Sequence, residues 1–231
     1  MDDVSQPEGH ISAVAALDEP TRRRLYDFVV RRPAPVSRDE AAEAVGVPRT
    51  TVAFHLDRLV AEGLLEVVHE RRTGRTGPGA GRPSKLYRRS AEQIAVSLPD
   101  RRYELAGLLL AGALAEVETS DEPPRVVLRR RARAVGRDLG EAARGDQDGR
   151  AGVLRALEGF GFEPRADEPD ASILLGNCPF HSLARQQTEL VCGMNLSLLD
   201  GLLDGLAATD LTARLAPSAD RCCVRLDPAD G

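Results

Sequence analysis

The stretch "VSRDEAAEAVGVPRTTVAFHLDRLVAEGLLEV", residues 36–67, predicts two helices joined by a tight turn. Ser37 and Glu40 have the spacing of a capping box, so the first helix is expected to begin directly after the serine. Gly46 permits the turn, and an amphipathic helix is expected over residues 49–62. A short Ala-rich helix, a glycine-containing turn and a longer helix are typical of a helix-turn-helix.

The second helix is expected to present polar side chains and one aromatic ring on its outer face, near its N-terminus. A phosphate or a base edge is favourably bound at such a place. Phe54 could equally be a buried ring, and a single histidine on a helix is often incidental. The candidate DNA-binding residues on this helix are Arg49, Thr50, Thr51, Phe54, His55 and Arg58.

A basic hairpin is predicted after these helices. The segments "LLEVVHE" and "SKLYRR" alternate as strands on either side of the glycine-rich "RRTGRTGPGAGRP". Residues 71–89 hold seven Lys/Arg and no Asp/Glu. Such a wing can follow phosphates or place an arginine in the minor groove. The candidate DNA-binding residues of the wing are Arg71, Arg72, Arg75, Arg82 and Lys85.

Charge divides the chain into two regions, although its total is only −5. Residues 21–90 hold 15 Lys/Arg against 8 Asp/Glu, whereas residues 91–231 hold 16 against 23. This contrast predicts two domains with different partners. No apolar run approaches the length of a membrane span, and the acidic start "MDDVSQPEGH" does not fit a secretory signal, so a cytoplasmic protein is expected.

An enzyme is not expected from these residues. The sequence shows no Ser/His/Asp set and no His-rich metal motif, and "GRTGPGAGRP" lacks the lysine-serine ending of a phosphate-binding loop. A reducing compartment disfavours disulfides between the four cysteines. Their expected roles are then buried thiols, metal ligands or redox sensors.

The N-terminal pattern resembles a known family. "EAAEAVGVPRTTVAFHLDRLVAEGLLEV" followed by "GRPSKLYR" is similar to the winged helix-turn-helix of ArsR-like bacterial transcription regulators, over about residues 12–90. The resemblance implies double-stranded DNA as the partner, with the major groove facing the residues from Arg49 to His55. It also implies a wing arginine at the backbone or in the minor groove. A winged helix that docks only another protein is the alternative.

The segment after the wing, residues 100–146, is expected to be a helical linker or dimerisation region. Its helix "YELAGLLLAGALAEV" is too short to span a membrane and too apolar to stand alone. It must pack on its own chain or on the same helix of a second chain. A homodimer is favoured, because one winged helix-turn-helix contacts few base pairs.

Residues 150–227 mix helices and strands, which predicts a small α+β sensory or dimerisation domain and makes the whole chain mostly α with small β elements. Cys178 is expected in a loop and Cys192 in a long helix. Cys222 and Cys223 are expected in the last strand, whose alternation sends them to opposite faces. At most one of that pair would then join a common site. The spacing does not fit a zinc ribbon, since no Cys-x-x-Cys pair is present.

The order of these cysteines resembles the C-terminal half of the SufR-like repressors of iron-sulfur assembly genes. The resemblance implies a repressor in which Cys178, Cys192 and either Cys222 or Cys223 hold an iron-sulfur cluster that controls DNA affinity. The chain lacks that family's further cysteine near residues 205–206. His181 or the second terminal cysteine could supply the fourth ligand. Zinc, an organic ligand, a redox response or four structural thiols remain alternatives.

Overall fold

The computed structural model describes residues 7–70, 83–145, 149–167, 171–218 and 220–229. The chain divides into two compact units, Met1–Val96 and Ser97–Gly231. Each unit has its own hydrophobic core. The expected fold class is confirmed: the chain is mostly helical with small antiparallel sheets, a helix-turn-helix in the first unit and an α+β region in the second. Within the described ranges, no helix is long and apolar enough to cross a membrane.

The first unit combines helices with a small antiparallel sheet in the strand order β1-β3-β2. Strands β2 and β3 form the predicted hairpin, with Leu65 opposite Arg89 and Glu70 opposite Ser84. An N-terminal helix that the sequence did not predict precedes the others. The elements are α1 (Pro7–Ala16), α2 (Pro20–Val30), β1 (Val36–Ser37), α3 (Arg38–Val45), α4 (Arg49–Ala61), β2 (Leu65–Glu70) and β3 (Ser84–Arg89).

Local chemistry explains where α3 begins and ends. The Ser37 hydroxyl accepts a hydrogen bond from the Glu40 backbone N–H at 3.2 Å, and the Glu40 carboxylate accepts one from the Ser37 N–H at 2.7 Å. This is the predicted capping box. At the other end, Gly46 adopts a left-handed conformation with φ of 70°. Glycine takes this conformation without a Cβ clash, so the chain turns sharply into α4.

The second unit packs helices against an antiparallel sheet in the strand order β4-β5-β7-β6. Its helices α5 and α6 contribute buried residues to the same core as the strands. The described residues therefore show no separate linker unit over residues 100–146. The elements are α5 (Tyr103–Val117), α6 (Pro124–Ala143), α7 (Arg150–Gly159), β4 (Pro164–Asp167), β5 (Ser172–Leu175), α8 (His181–Gln186), α9 (Thr188–Leu206), β6 (Leu211–Leu215) and β7 (Val224–Pro228).

Helices α6 and α9 cross with their backbones in contact. A Cβ atom placed on Gly136 would overlap the carbonyl oxygen of Leu198, and one placed on Gly201 would overlap the carbonyl oxygen of Arg133. Glycine is the residue that permits such a close approach of two main chains. This crossing fixes α9, which carries Cys192, at the centre of the second unit.

Candidate nucleic-acid interface and thiol site

The outer face of α4 is open to solvent at most of the predicted positions. Arg49, Thr50 and Arg58 are exposed, Thr51 is half-buried, and the Phe54 ring is 66% exposed. The opposite face is buried in the core of the first unit through Val52, Leu56 and Leu59. No described side chain caps the N-terminus of α4, so the N–H groups of its first turn remain available to an anion.

The two arginines of α4 have acidic partners that differ in exposure. Arg49 Nε lies 2.7 Å from Asp39 Oδ1 in an exposed pair, and Arg58 pairs with Glu62, whose side chain is only 11% exposed. Ion pairs at the surface contribute little free energy, so a phosphate can replace Asp39 at small cost. Arg49 therefore has the freedom that a DNA contact requires.

His55 is mostly buried, unlike its neighbour Phe54. Its side chain is only 12% exposed, and Nδ1 lies 3.6 Å from Glu19 Oε2, beyond hydrogen-bonding distance. Glu19 caps α2 by accepting hydrogen bonds from the N–H groups of Thr21 at 3.0 Å and Arg22 at 2.6 Å. Burial alone would raise the pKa of Glu19, but these hydrogen bonds lower it to about 2. His55 therefore packs between α4 and the start of α2 and does not face the solvent side of α4.

Lys85, a DNA-binding candidate of the wing, pairs with an acidic residue of α4. Its Nζ lies 2.6 Å from Asp57 Oδ1 on α4. The Tyr87 hydroxyl donates a hydrogen bond to the same oxygen at 2.8 Å and accepts one from Arg38 Nε at 2.9 Å. Burial raises the pKa of Asp57, and the hydrogen bonds from Lys85 and Tyr87 outweigh it and lower that pKa. The hydrogen bond with Asp57 in turn raises the pKa of Lys85.

This network joins the returning strand of the wing to α4 and to the start of α3. One signal of it was present in the sequence, since Lys85 and Tyr87 alternate onto the same side of β3. Their shared partner Asp57 could not be identified without the fold. The remaining wing candidates, Arg71, Arg72, Arg75 and Arg82, lie outside the described residues and stay predictions.

The four cysteines converge in the second unit. Cys178 follows β5 in a loop, Cys192 lies in α9, and Cys222 and Cys223 precede β7. Three are buried and Cys223 is half-buried. Cys178 and Cys222 each shift the pKa of the other, Cys223 acts on the pKa of Cys222, and all three act on the pKa of Cys192. These four thiols, which we term the thiol site, therefore lie near one another.

The expectation that Cys222 and Cys223 lie in the last strand is wrong, because β7 begins at Val224. The preceding segment is held in another way: the Cys222 N–H donates to the Leu175 carbonyl at 2.9 Å, and the Cys223 carbonyl accepts from the Ala216 N–H at 2.7 Å. Outside a strand the strict alternation of side chains does not apply, so alternation no longer separates the two thiols.

The environment of the thiols favours their protonated forms. The hydrogen bond to Cys222 and burial raise the pKa of Cys178. At Cys222, the hydrogen bond from Cys178 favours the thiolate, but the hydrogen bond to Cys223 and burial outweigh it and raise the pKa to about 12. Burial also raises the pKa of Cys192. Thiols of this kind are poor nucleophiles at neutral pH.

A buried amide that the sequence did not single out borders the thiol site. Asn195 is 0% exposed, and its Nδ2 donates a hydrogen bond to Cys222 Sγ at 3.3 Å. Its Oδ1 is buried without a hydrogen-bond partner. The signal in the sequence was its position one helical turn after Cys192 in "VCGMN". An amide N–H directed at sulfur is the kind of neighbour that stabilises a thiolate ligand.

The thiol site has the donor atoms of a metal or cluster site. Four cysteine sulfurs are the ligands of iron-sulfur clusters and of structural zinc. As they stand, no three His, Cys, Asp or Glu side chains in the described parts of the chain are arranged to hold one metal ion. His181, the other candidate ligand, is exposed.

Comparison with known proteins agrees with the geometry of the first unit. A family model described as a helix-turn-helix domain, of the ArsR or winged helix-turn-helix type, matches residues 17–68. This span runs from the end of α1 into strand β2. A search of curated proteins returned no match. The match supports a DNA-binding regulator rather than an enzyme, and the matched residues form the helix-turn-helix of the first unit.

Proposed function

We propose that the protein is a homodimeric transcription regulator, acting as a repressor, whose affinity for DNA is controlled through the thiol site. The observation that carries the DNA-binding part is the outer face of α4. A phenylalanine that is 66% exposed stands there beside exposed threonine and arginine side chains, at the uncapped end of the helix. An aromatic ring in this place can contact a thymine methyl group while the arginines meet phosphates.

The DNA contact is tested by titrating full-length protein into a labelled fragment from upstream of its own gene. The Phe54→Ala variant should bind this fragment roughly tenfold more weakly and bind random DNA unchanged, because the ring reads a base and not the backbone. Val14→Ala is the matched control, since Val14 is an exposed apolar residue of α1 in the same unit. Equal losses on both DNAs would contradict a specific contact by Phe54.

The salt dependence of binding separates DNA recognition from protein docking. An interface that neutralises phosphates gives an affinity that falls steeply and linearly on a logarithmic salt scale. We expect this slope for the wild-type protein. A flat slope, or no binding to DNA, would favour a winged helix that docks another protein.

The proposal of a homodimer is supported by the solvent-facing side of α5. Leu108 and Leu114 are 66% and 64% exposed, and the small residues Gly107, Ala111 and Ala115 of the same helix are exposed as well. Small residues at intervals of one turn allow a second helix to approach, and the leucines supply apolar area. A second copy of α5 matches this surface because its small residues and leucines are self-complementary under two-fold symmetry.

The dimer is tested by light scattering after size-exclusion chromatography. The double variant Leu108→Glu, Leu114→Glu should be monomeric, because four carboxylates would be placed within one apolar interface. Leu215→Glu is the control, since Leu215 is an exposed apolar residue of β6 in the same unit. A wild-type monomer at micromolar concentration would contradict the dimer.

Control through the thiol site is supported by the convergence of all four cysteines and by the buried Asn195 amide. The raised pKa values of Cys178 and Cys222 disfavour a peroxide-sensing thiolate. A bound metal would instead supply the positive charge that deprotonates these thiols. Cys178, Cys192, Cys222 and Cys223 would hold an iron-sulfur cluster, which supplies a reversible change of charge and ligation at the centre of the unit.

Anaerobic purification with iron, sulfide and zinc analysis tests this assignment. We expect iron and sulfide in equal amounts, an absorption band in the visible range, and the loss of both in Cys222→Ser. Zinc without iron or sulfide would indicate a structural metal site in place of a cluster. A colourless, metal-free protein with four intact thiols would contradict a metal-based control.

A further inference from the structure

The loop that carries Cys178 binds the first residues of the second unit. Asn177, next to that cysteine, is 6% exposed. Its Nδ2 donates hydrogen bonds to the carbonyl oxygens of Asp100, at 3.0 Å, and Gly161, at 2.5 Å. Its Oδ1 accepts a hydrogen bond from Arg101 Nη1. The buried Asn177 amide therefore ties the cysteine loop by hydrogen bonds to the turn after α7 and to the start of the unit.

Further contacts join the same two segments. Arg101 Nη1 also donates to the Cys178 carbonyl at 3.3 Å, and the Arg102 N–H donates to the Pro179 carbonyl at 3.1 Å. A Cβ atom on Gly161 would lie 2.6 Å from the Asp100 Cβ, so Asp100 is packed directly against that turn. The Asp100–Arg102 segment is thus held by the residue that carries the first thiol and by its neighbours.

The chain on the other side of this segment is held by the first unit. Ile94 packs against the core of that unit, and the Ala95 carbonyl lies 3.0 Å from His10 Nδ1. Only residues 96–99, which we term the connector, separate Ala95 from Asp100. Because only four residues join the two held points, a displacement of Asp100 has a short path to Ala95.

We infer that Asn177 and Arg101 are positioning residues that transmit the state of the thiol site to the connector, and through it to the winged helix-turn-helix domain. The inference rests on the proposed function, because it requires that the thiol site controls DNA affinity. When the Cys178 loop changes its position on gaining or losing a ligand, the carbonyl oxygens of Cys178 and Pro179 move with it. The hydrogen bonds to Arg101 and Arg102 then move the residues that follow the connector.

The test measures DNA affinity of the full-length chain in two states. The protein is reconstituted anaerobically with ferrous iron and sulfide, or stripped of metal with a chelator, and titrated into the upstream fragment. The wild type should show at least a roughly fivefold difference in Kd between the states. Asn177→Ala and Arg101→Ala should keep the iron content and visible absorption of the wild type, while their ratio of Kd values falls to about one.

Arg125→Ala is the matched control. Arg125 belongs to the same unit and pairs through its exposed side chain with Glu189 at 3.2 Å. We expect this variant to keep the wild-type ratio. Hydrogen exchange supplies a second readout, because the Arg102 amide loses protection when the contact with Pro179 is released. Its exchange should accelerate in Asn177→Ala and Arg101→Ala and not in Arg125→Ala.

The outcomes separate this inference from the proposed function. If the wild type binds DNA equally in both states, control through the thiol site is overturned and the coupling falls with it. If the wild type responds and both variants respond with the same ratio, the coupling alone is overturned. Should Asn177→Ala unfold, Arg101→Ala decides the matter, because its side chain is half-buried and its loss leaves the Asn177 amide bonds to Asp100 and Gly161 in place.

Discussion

The outer face of α4 and the thiol site are built in opposite ways. The α4 face comes from residues close together in sequence, and it leaves an aromatic ring and two arginines exposed. The thiol site draws Cys178, Cys192 and the Cys222–Cys223 pair from three separate segments and buries most of their surface. The first surface is ready for a partner from solvent. The second can respond only to a small group that enters the unit, and its response must then travel through the chain.

The glycine crossing of α6 and α9 gives the largest expected effect on stability. Gly136→Ala should lower the free energy of unfolding of the second unit by about 3 kcal/mol, because the new Cβ meets main-chain atoms that cannot rotate away. Gly159→Ala is the control, since nothing lies within 4 Å of its Cβ position. Urea unfolding followed by hydrogen exchange in α4 and α9 checks this, and the protection of α4 should not change. Equal stability of the two variants would contradict the close contact between the backbones of α6 and α9.

The raised pKa of Cys222 predicts that the second unit loses stability at alkaline pH. The folded pKa of about 12 lies above the ordinary value of 9.0, so the unfolded thiol ionises first as pH rises. Stability from this group is therefore complete below pH 9.0 and is lost between that pH and about 12. Metal-free wild type should lose more thermal stability over this range than Cys222→Ser. Parallel losses in the two proteins would show that the thiol does not titrate as a buried group.

The polar network of the wing predicts a smaller effect in the first unit. Tyr87→Phe removes the hydroxyl that donates to Asp57 and accepts from Arg38, and should cost about 1–2 kcal/mol of unfolding free energy. Because folding lowers the pKa of Asp57, this carboxylate also makes stability depend on pH. Its contribution to the unfolding free energy is complete above the unfolded pKa and is lost as pH falls through the folded pKa. Acid titration of the wild type and Tyr87→Phe by circular dichroism measures both. A variant as stable as the wild type at every pH would argue against the network.

The smallest effect on stability is expected at Arg49. Its exposed pair with Asp39 should contribute less than about 0.5 kcal/mol, so Arg49→Gln should unfold like the wild type. Its affinity for DNA should nevertheless fall, with a salt slope reduced by about one, because one phosphate contact is lost. Arg88→Gln is a control within the same unit, since Arg88 pairs with Glu66 between the two hairpin strands. An unchanged salt slope in Arg49→Gln would remove Arg49 from the interface.

The elements around the α4 face were easier to predict from the sequence than the thiol site. Capping signals, Gly46 and the spacing of apolar residues act over a few residues, so α3, the turn, α4 and the hairpin follow from local patterns. The exposure of Phe54 and the burial of His55 do not, because they depend on how α2 packs against α4. The convergence of the cysteines was beyond prediction for the same reason. The last strand begins at Val224, three residues later than expected, so the alternation predicted for Cys222 and Cys223 does not apply.

Glycines show the same limit in the second unit. The sequence marks Gly136, Gly140, Gly201 and Gly205 as helix-weakening residues, and only the fold shows that they permit two backbones to touch. Asn177 and Asn195 are ordinary polar residues in the sequence. Their functions as proposed here arise from burial beside Cys178 and Cys222.

The most direct test of the central claim is one anaerobic titration of the labelled upstream fragment with wild-type protein and with Cys222→Ser, repeated at several salt concentrations. Both proteins should show a steep salt slope, because the winged helix-turn-helix is intact in each. At any one salt concentration their Kd values should differ at least roughly fivefold, because only the wild type can assemble the complete thiol site. Equal affinities with equal slopes would leave a DNA-binding protein that the thiol site does not control.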